Sequence, residues 1–289
     1  MTPHTQTLHT PSGRSIAVDT TGPDGGPVVL LCHPAPGSRV LDPDPVVTAS
    51  AGVRLVTIDR PGYGGSDLTA EAVTIPSLAD DAAMVLHELG ATDVAAVGWS
   101  AGGRLAMALA ARQPDLVRSV DLLAAPAPDE DVPWYPEEVR PMVDALRQDP
   151  DGAVAAMTPM LAPMTSDAAG AVGQLGVGPA DEALLLERPG LRDGVTAMLT
   201  EAFRAGAGGL AADIVSYTVH DWGFDPRAVG VPVRCWYGAD DQLVTPAHGE
   251  WWCDQALDSS LRVVEGVGHL VPYVVWADVL PAAGRVRAG

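Results

Sequence analysis

One serine in this sequence lies in a setting that could turn its hydroxyl into a nucleophile. Residues 98–102 read Gly-Trp-Ser-Ala-Gly, so Ser100 has a glycine two residues away on either side. The segment follows a short apolar run and precedes a helix pattern, which is the context of a nucleophile elbow. In such a turn the serine hydroxyl stands clear of the sheet, and a Cβ at either glycine is expected to collide with a neighbouring strand. We therefore predict that Ser100 is a nucleophile.

A serine hydroxyl is a weak nucleophile until a base removes its proton. Among the seven histidines, His269 follows the last strand-like run in a glycine-rich loop. That position predicts the same carboxyl edge of the sheet as Ser100, where open α/β sheets place their sites. His220 and His248 lie at the end and the start of helix patterns, and we expect them to be surface or capping groups. His269 is the predicted base, chosen from His4, His9, His33, His87, His220, His248 and His269.

The base needs an acid that orients its ring and stabilises its charged form. Asp240 and Asp241 both follow the penultimate strand-like run, and either could lie at the sheet edge. Asp241, the third residue after Gly238, has the more suitable spacing and is our prediction. Asp240 remains the alternative, and the aspartate that is not used would cap a turn or helix.

Acyl chemistry at Ser100 would also need two backbone N–H donors for the negative oxygen of a tetrahedral intermediate. The first is expected at Ala101, which follows the nucleophile at a helix N-terminus. The second is expected in the loop after the first buried strand, where residues 33–37 read His-Pro-Ala-Pro-Gly. Because proline has no N–H, Ala35 is the only donor between the two prolines and is the predicted second member.

The elements that must position these residues alternate between strand and helix. Strands are predicted at Thr5–Thr10, Ser15–Thr20, Pro27–Cys32, Val53–Ile58, Val94–Val97, Val117–Leu123, Pro232–Tyr237 and Leu261–Val264. Helices are predicted from Pro76-Ser77, with Asp80 in a capping-box-like start, to Gly90, then over Ala101–Gln113, after Tyr237, and around Tyr273–Leu280. This order predicts the α/β class, with a mostly parallel, doubly wound sheet between helices.

The alternation stops from Pro126 to about Trp222, where only helix patterns occur. Those patterns are Pro141–Gln148, Pro179–Glu187, Leu191–Ala205 and Leu210–His220. We predict a helical lid over residues 128–222, inserted between core segments 1–127 and 223–289. The lid should cover the site and shape an apolar pocket. Candidate lining residues are Trp134, Tyr135, Leu161, Met142, Met157, Met160, Met164 and Met198.

Composition excludes several classes of partner. The formal net charge of −20 disfavours binding to nucleic acid and to anionic membranes. No apolar run reaches the roughly 18 residues of a membrane span, and no secretory signal is visible. Three scattered cysteines without a CxxC pair are expected to be reduced, with Cys32 and Cys235 buried. We expect a cytoplasmic protein with a small-molecule substrate, no metal and no cofactor; the oligomeric state stays open.

These motifs together resemble the lidded α/β-hydrolase superfamily. Gly98–Gly102 resembles its nucleophile elbow, and His33–Gly37 resembles its His-Gly-x-Pro oxyanion loop. Asp59–Asp67 is similar to its D-x-x-G-x-G-x-S segment, and Asp241 and Gly268-His269 match its acid and base. The match covers about residues 15–128 and 222–280. One departure is proline at position 34, where the family usually has glycine.

The resemblance implies a serine hydrolase with a Ser100–His269–Asp241 triad. The nearest similar groups are esterases, lactonases, cofactor-free perhydrolases and proline iminopeptidases. We expect cleavage of an ester, lactone or related acyl bond of a small, largely apolar molecule through an acyl-enzyme.

Two other functions remain open. An aminopeptidase similar to proline iminopeptidases would need a lid carboxylate for the substrate ammonium, and Glu137, Glu138 and Glu201 are candidates. A non-catalytic ligand-binding protein could also use this fold.

Overall fold

Eight strands form one sheet in the computed structural model, which describes residues 2–167 and 170–283. They are β1 (His4–His9), β2 (Ser15–Thr21), β3 (Val28–Cys32), β4 (Arg54–Ile58), β5 (Val94–Trp99), β6 (Val117–Leu123), β7 (Val233–Gly238) and β8 (Ser259–Val264). Their order across the sheet is β1-β2-β4-β3-β5-β6-β7-β8. The pairs β1·β2 and β2·β4 are antiparallel and the other five are parallel, which confirms the predicted fold class.

The central strands are buried on both faces. Every residue of β3, β5 and β6 is buried, as expected for apolar strands with helices on either side. Along β3 the side chains alternate, so Leu30 belongs to one core and Val29 and Leu31 to the other. Parallel pairing places Cys32 beside Gly98 and Trp99 beside Leu123, so the loops after these strands emerge at one edge.

Ten α-helices lie in the described chain. They are α1 (Pro45–Ala51), α2 (Ile75–Glu88), α3 (Ala101–Arg112), α4 (Arg140–Gln148), α5 (Pro150–Leu161), α6 (Pro179–Glu187), α7 (Pro189–Ala202), α8 (Gly208–Thr218), α9 (Pro246–Gln255) and α10 (Pro272–Ala283). The apolar core with α2, α3 and α9 covers one face of the sheet, and the core with α7 and α10 covers the other. Within the described ranges, no helix is long and apolar enough to cross a membrane.

The start of α2 differs from the sequence prediction. Thr74 caps the helix, because its hydroxyl accepts from the Ser77 N–H at 3.2 Å and the Ser77 hydroxyl accepts from the Thr74 N–H at 2.9 Å. Asp80 has no part in this cap and instead forms an ion pair at 2.8 Å with Arg112 of α3. The reciprocal cap is therefore made by two hydroxyl residues rather than by a carboxylate.

Residues 128–222, called the insertion below, lie between β6 and β7 and contain α4 to α8. The described part of this segment has no strand, and four of its helices correspond to predicted patterns. The helix α5 was not predicted, since Pro159 lies inside it. Proline at this position removes one intrahelical hydrogen bond, but Pro150 suits the first turn and Asp149 caps it.

A buried ion pair joins the insertion to the sheet. Asp213 of α8 accepts from the Arg60 guanidinium at 2.5 Å and from the Tyr63 hydroxyl at 3.1 Å. Both charged side chains of the pair are almost fully buried, at 4% and 5% exposure. Removing one partner of such a pair leaves an uncompensated buried charge.

We predict that Asp213→Asn lowers the free energy of unfolding by about 3 kcal/mol, because the buried Arg60 cation loses its carboxylate partner. Guanidinium chloride denaturation followed by circular dichroism measures the loss. The control is Asp278→Asn, which breaks the exposed Arg262–Asp278 pair and should cost less than about 1 kcal/mol. Equal losses in the two variants would contradict a structural role for the buried pair.

Candidate active site

Ser100 occupies a strained turn between β5 and α3. Its backbone angles are φ 53° and ψ −123°, outside the regions that non-glycine residues prefer. Strain of this kind costs roughly 1–3 kcal/mol and persists only where the surroundings hold it. Here the Ser100 N–H donates to the Leu123 carbonyl and the Ser100 carbonyl accepts from the Gly103 N–H, both at 2.9 Å. The neighbouring strand and the first helical turn therefore hold the serine in place.

The two glycines of the motif are required by close backbone contacts. A Cβ on Gly102 would lie 2.3 Å from the carbonyl oxygen of Cys32, at the end of β3. A Cβ on Gly98 would lie 2.4 Å from the carbonyl oxygen of Gly102, in the first turn of α3. The prediction of a collision with a neighbouring strand is thus correct for Gly102 and wrong for Gly98, which faces the helix.

His269 and Asp241 form a buried pair. The His269 ring contacts the carboxylate through Nδ1, 2.7 Å from Asp241 Oδ2. The other oxygen, Oδ1, accepts from the backbone N–H groups of Leu243 at 2.9 Å and Val244 at 2.8 Å. Asp240 is exposed and accepts from the Gly266 N–H at 3.1 Å. Of the two candidate acids, the structure brings Asp241 to the imidazole.

A cavity of about 120 Å³ brings four of the five predicted site residues together. Its lining consists of Pro34, Ala35, Ser100, Ala101, Arg104, Pro126, Trp134, Leu175, Tyr217, Leu243, Val244 and His269. Asp241 lies behind the His269 ring. The hydrogen bonds formed by described residues include none between Ser100 Oγ and the His269 ring, so these two groups share the cavity without being bonded to each other.

Ala35 and Ala101 both line this cavity, and their backbone N–H groups donate to no described residue. The loop that carries Ala35 is held from behind by Arg60. The Arg60 guanidinium donates to the carbonyls of His33 at 2.6 Å and Pro34 at 2.8 Å. Burial lowers the pKa of His33 well below its ordinary value, which keeps this ring neutral beside the Arg60 cation.

Asp181 was not recognised in the sequence, yet it supports the loop of His269. This carboxylate from α6 is fully buried and accepts from the N–H groups of Gly268 at 3.0 Å, His269 at 2.9 Å and Leu270 at 3.1 Å. The only local signal was an aspartate in the first turn of a helix, which is common. Its role depends on contacts across 87 or more residues of chain.

His248 is not the surface or capping group that its sequence position suggested. Its ring is 1% exposed and accepts at Nδ1 from the Ala127 N–H at 3.1 Å. Burial lowers the pKa of His248 to about 4, with a smaller contribution from the Arg104 cation. The ring is therefore a neutral structural acceptor at physiological pH.

The structure places only some of the predicted pocket residues at the cavity. Trp134 lines the cavity, whereas Tyr135, Leu161 and the methionines of the insertion do not. Met157 and Met198 are buried in apolar cores, and Met160 is 60% exposed. Leu175 and Tyr217 line the cavity instead.

Among the described residues, neither acidic groups nor metal ligands cluster at the cavity. Glu137 and Glu138 are exposed, and Glu201 forms an ion pair with Arg39 at 2.5 Å. Within residues 2–167 and 170–283, no three His, Cys, Asp or Glu side chains form a group that could hold a metal ion. Cys32 and Cys235 are buried free thiols, as predicted.

Comparison with known proteins identifies the same architecture. Residues 27–274 match the alpha/beta hydrolase fold family. The chain is 29% identical over 272 residues to a pimeloyl-[acyl-carrier protein] methyl ester esterase of Neisseria meningitidis serogroup A, covering 91% of this chain and 77% of that protein.

Two solved structures share the fold at lower sequence identity. An esterase from Exiguobacterium antarcticum superposes with a TM-score of 0.71 at 20% identity, over 96% of this chain and 98% of that chain. A bromoperoxidase from Bacillus anthracis superposes with a TM-score of 0.72 at 20% identity, over 97% and 98% of the two chains. At this level of identity the likeness shows the fold, and different activities use it.

We predict that Gly102→Ala lowers the free energy of unfolding by roughly 3 kcal/mol, because the new methyl group meets the Cys32 carbonyl and the backbone must move. Gly194→Ala is the matched control, since a Cβ there meets no atom within 4 Å in helix α7. The free energy of unfolding of the Gly194→Ala control should rise by up to about 1 kcal/mol. Chemical denaturation of both variants measures the difference, and a neutral Gly102→Ala would refute the close approach.

Proposed function

The chain belongs to the alpha/beta hydrolase family, and on that premise we propose that it hydrolyses a carboxylic ester or lactone of a small molecule through an acyl-enzyme on Ser100. The observation that carries this proposal is the cavity that Ser100 shares with the Asp241-bound ring of His269. The similarity to a methyl ester esterase supports ester hydrolysis as the reaction class.

In the proposed first step, Ser100 Oγ attacks the ester carbonyl and its proton passes to His269 Nε2. The ring presents Nε2 because Nδ1 is bound to Asp241, which also stabilises the imidazolium. Hydrogen bonds of this kind are often long without substrate and shorten in the reacting complex, so proton transfer requires the Ser100 and His269 side chains to approach. Two donors to Asp241 Oδ1 keep the carboxylate in position.

The negative oxygen of the intermediate would lie between the N–H groups of Ala35 and Ala101. Both are free of other described partners, and the Ala101 group is the first of helix α3. His269 then gives its proton to the departing alcohol. Water, deprotonated by the same ring, attacks the acyl-enzyme and releases the acid and Ser100.

We also propose that the insertion acts as the lid of this site. It supplies Trp134, Leu175 and Tyr217 to the cavity wall, so it sets the shape of the space beside Ser100. Its Asp181 holds the loop of His269, which couples the lid to the base. Specificity within this family fold would then depend on the inserted helices.

The cavity favours an ester over the N-terminal residue of a peptide. An aminopeptidase needs a carboxylate for the substrate ammonium, but the described lining has no acidic residue. Its one permanently charged member is the cation Arg104. We therefore place ester hydrolysis ahead of peptide trimming.

We predict that Ser100→Ala reduces kcat/KM for 4-nitrophenyl butyrate by about 10³-fold or more, since the nucleophile is removed while the N–H donors remain. Absorbance of released nitrophenol measures the rate. A fluorophosphonate should add to the wild type and not to Ser100→Ala, as read by intact mass.

Ser50→Ala, which removes an exposed hydroxyl on α1, serves as the control and should keep full activity. Absence of both turnover and labelling in the wild type would reject the enzyme and favour a ligand-binding protein.

We predict that Asp181→Asn lowers kcat for the same ester roughly 10- to 100-fold with little change in KM, because a misplaced base slows chemistry more than binding. Asp193→Asn is the control, an exposed acid on α7. The thermal midpoint of each variant is measured alongside. Unchanged kcat in a folded Asp181→Asn protein would show that the carboxylate does not position His269.

A further inference from the structure

Arg104 is a buried cation in the wall of the candidate site. It follows Ser100 by four residues, one turn along α3, and is 2% exposed. Side chains of a helix lean toward its N-terminus, so this guanidinium leans back toward the turn that carries Ser100. The mechanism proposed above does not use it.

Arg104 has no acidic partner in the part of the chain that the structure describes. It forms no ion pair or hydrogen bond with any residue in the described ranges, and its Nε and Nη1 are buried without an acceptor. The other buried arginines differ, since Arg60 pairs with Asp213 and Arg118 with Asp93. A buried charge without a partner is costly, so its retention calls for a compensating group.

Aromatic rings contact the cation but leave its N–H groups unused. The Arg104 Cζ lies 4.4 Å from the ring centre of Tyr217, 5.0 Å from that of Trp222 and 5.6 Å from that of Trp134. Cation–π contacts of this type stabilise the charge. They accept no N–H hydrogen bond in the guanidinium plane, where a carboxylate binds best.

A second unpaired donor lies beside Arg104. The indole Nε1 of Trp134 is buried and has no acceptor among the described residues. Trp134 and Arg104 both line the cavity of Ser100. Two neighbouring side chains of the cavity wall therefore carry N–H donors without an acceptor, and the described wall supplies no carboxylate to accept from them.

Longer-range electrostatic interactions do not neutralise the Arg104 cation. Asp213 acts on Arg104 electrostatically, but its carboxylate is bound by Arg60. Burial is the main cause that lowers the pKa of Arg104 from its ordinary value, and an arginine stays charged at physiological pH all the same. The protein carries a net charge of −20, so this site is a local exception that could draw in an anion.

We infer that Arg104, assisted by the Trp134 indole, binds a carboxylate on the substrate, and that the preferred substrates are half-esters of short dicarboxylic acids. This inference rests on the proposed ester hydrolysis at Ser100. The substrate carboxylate pairs with the guanidinium while the ester carbonyl lies at Ser100, one helical turn away. Arg104 is thus a specificity-determining residue, and the small molecule is anionic at one end rather than largely apolar.

The test compares monomethyl succinate, glutarate and adipate with neutral methyl hexanoate, using a pH-stat to follow acid release. The wild type should show kcat/KM at least about 10-fold higher for the best half-ester than for methyl hexanoate. Arg104→Met should lower kcat/KM for that half-ester about 100-fold, mainly through KM. It should change kcat/KM for methyl hexanoate less than about 3-fold. Retained activity on the neutral ester shows that the variant is folded.

Arg104→Lys should keep part of the preference, because it retains the charge without the planar pair of donors. Arg112 lies on the same helix but pairs with Asp80 at the surface. Arg112→Met should therefore leave kcat/KM for both substrates unchanged. A wild type without preference for the half-esters, or an equal loss on both substrates in Arg104→Met, would overturn the inference.

Calorimetry with Ser100→Ala separates the inference from the proposed function. Monomethyl glutarate should bind this variant at least about 10-fold more tightly than the Ser100→Ala, Arg104→Met double variant. If no ester is hydrolysed but this difference is found, the anion site stands and the proposed function falls. If methyl hexanoate is hydrolysed and the difference is missing, the function stands and the inference falls.

Discussion

The arrangement of this site depends on how closely helix α3 approaches the end of strand β3. Gly102 lies against the carbonyl of Cys32 at a separation that excludes any side chain. That approach places the first N–H of α3 beside the loop after β3, so Ala101 and Ala35 share one cavity wall. Hydrogen bonds to Leu123 of β6 and Gly103 of α3 hold Ser100 in its strained conformation. This contact between backbones thus brings the two candidate oxyanion donors together beside Ser100.

Buried charges connect the inserted helices to this edge of the sheet. Arg60 binds the loop of Ala35 on one side and Asp213 of α8 on the other. Asp181 of α6 binds three consecutive N–H groups around His269. Such groups stabilise only when they are fully paired, so a shift of the inserted helices would disturb both the loop of Ala35 and the loop of His269. The insertion therefore supports the candidate site through these buried contacts.

Arg104 differs from these connecting charges because its hydrogen-bonding groups are not used by the described protein. Its aromatic neighbours stabilise the cation but leave N–H donors without an acceptor, one helical turn from Ser100. The protein is strongly acidic, and Arg104 is the one permanently charged side chain in the described lining of this cavity. The same fold serves an esterase and a bromoperoxidase elsewhere, so the side chains around the cavity, rather than the sheet, must select the substrate.

The sequence by itself determined the α/β class, the strand order along the chain and the elbow at Ser100, because these follow from local apolar periodicity and from glycine spacing. It also singled out His269 and favoured Asp241 over the neighbouring Asp240 as the acid. Only the tertiary structure showed that Asp241 contacts the ring, that His248 is buried and that Asp181 holds the loop. The sequence also could not show that Arg104 lacks an acceptor among the described residues. Burial and pairing between residues far apart in the chain are decided by packing, and no local pattern records them.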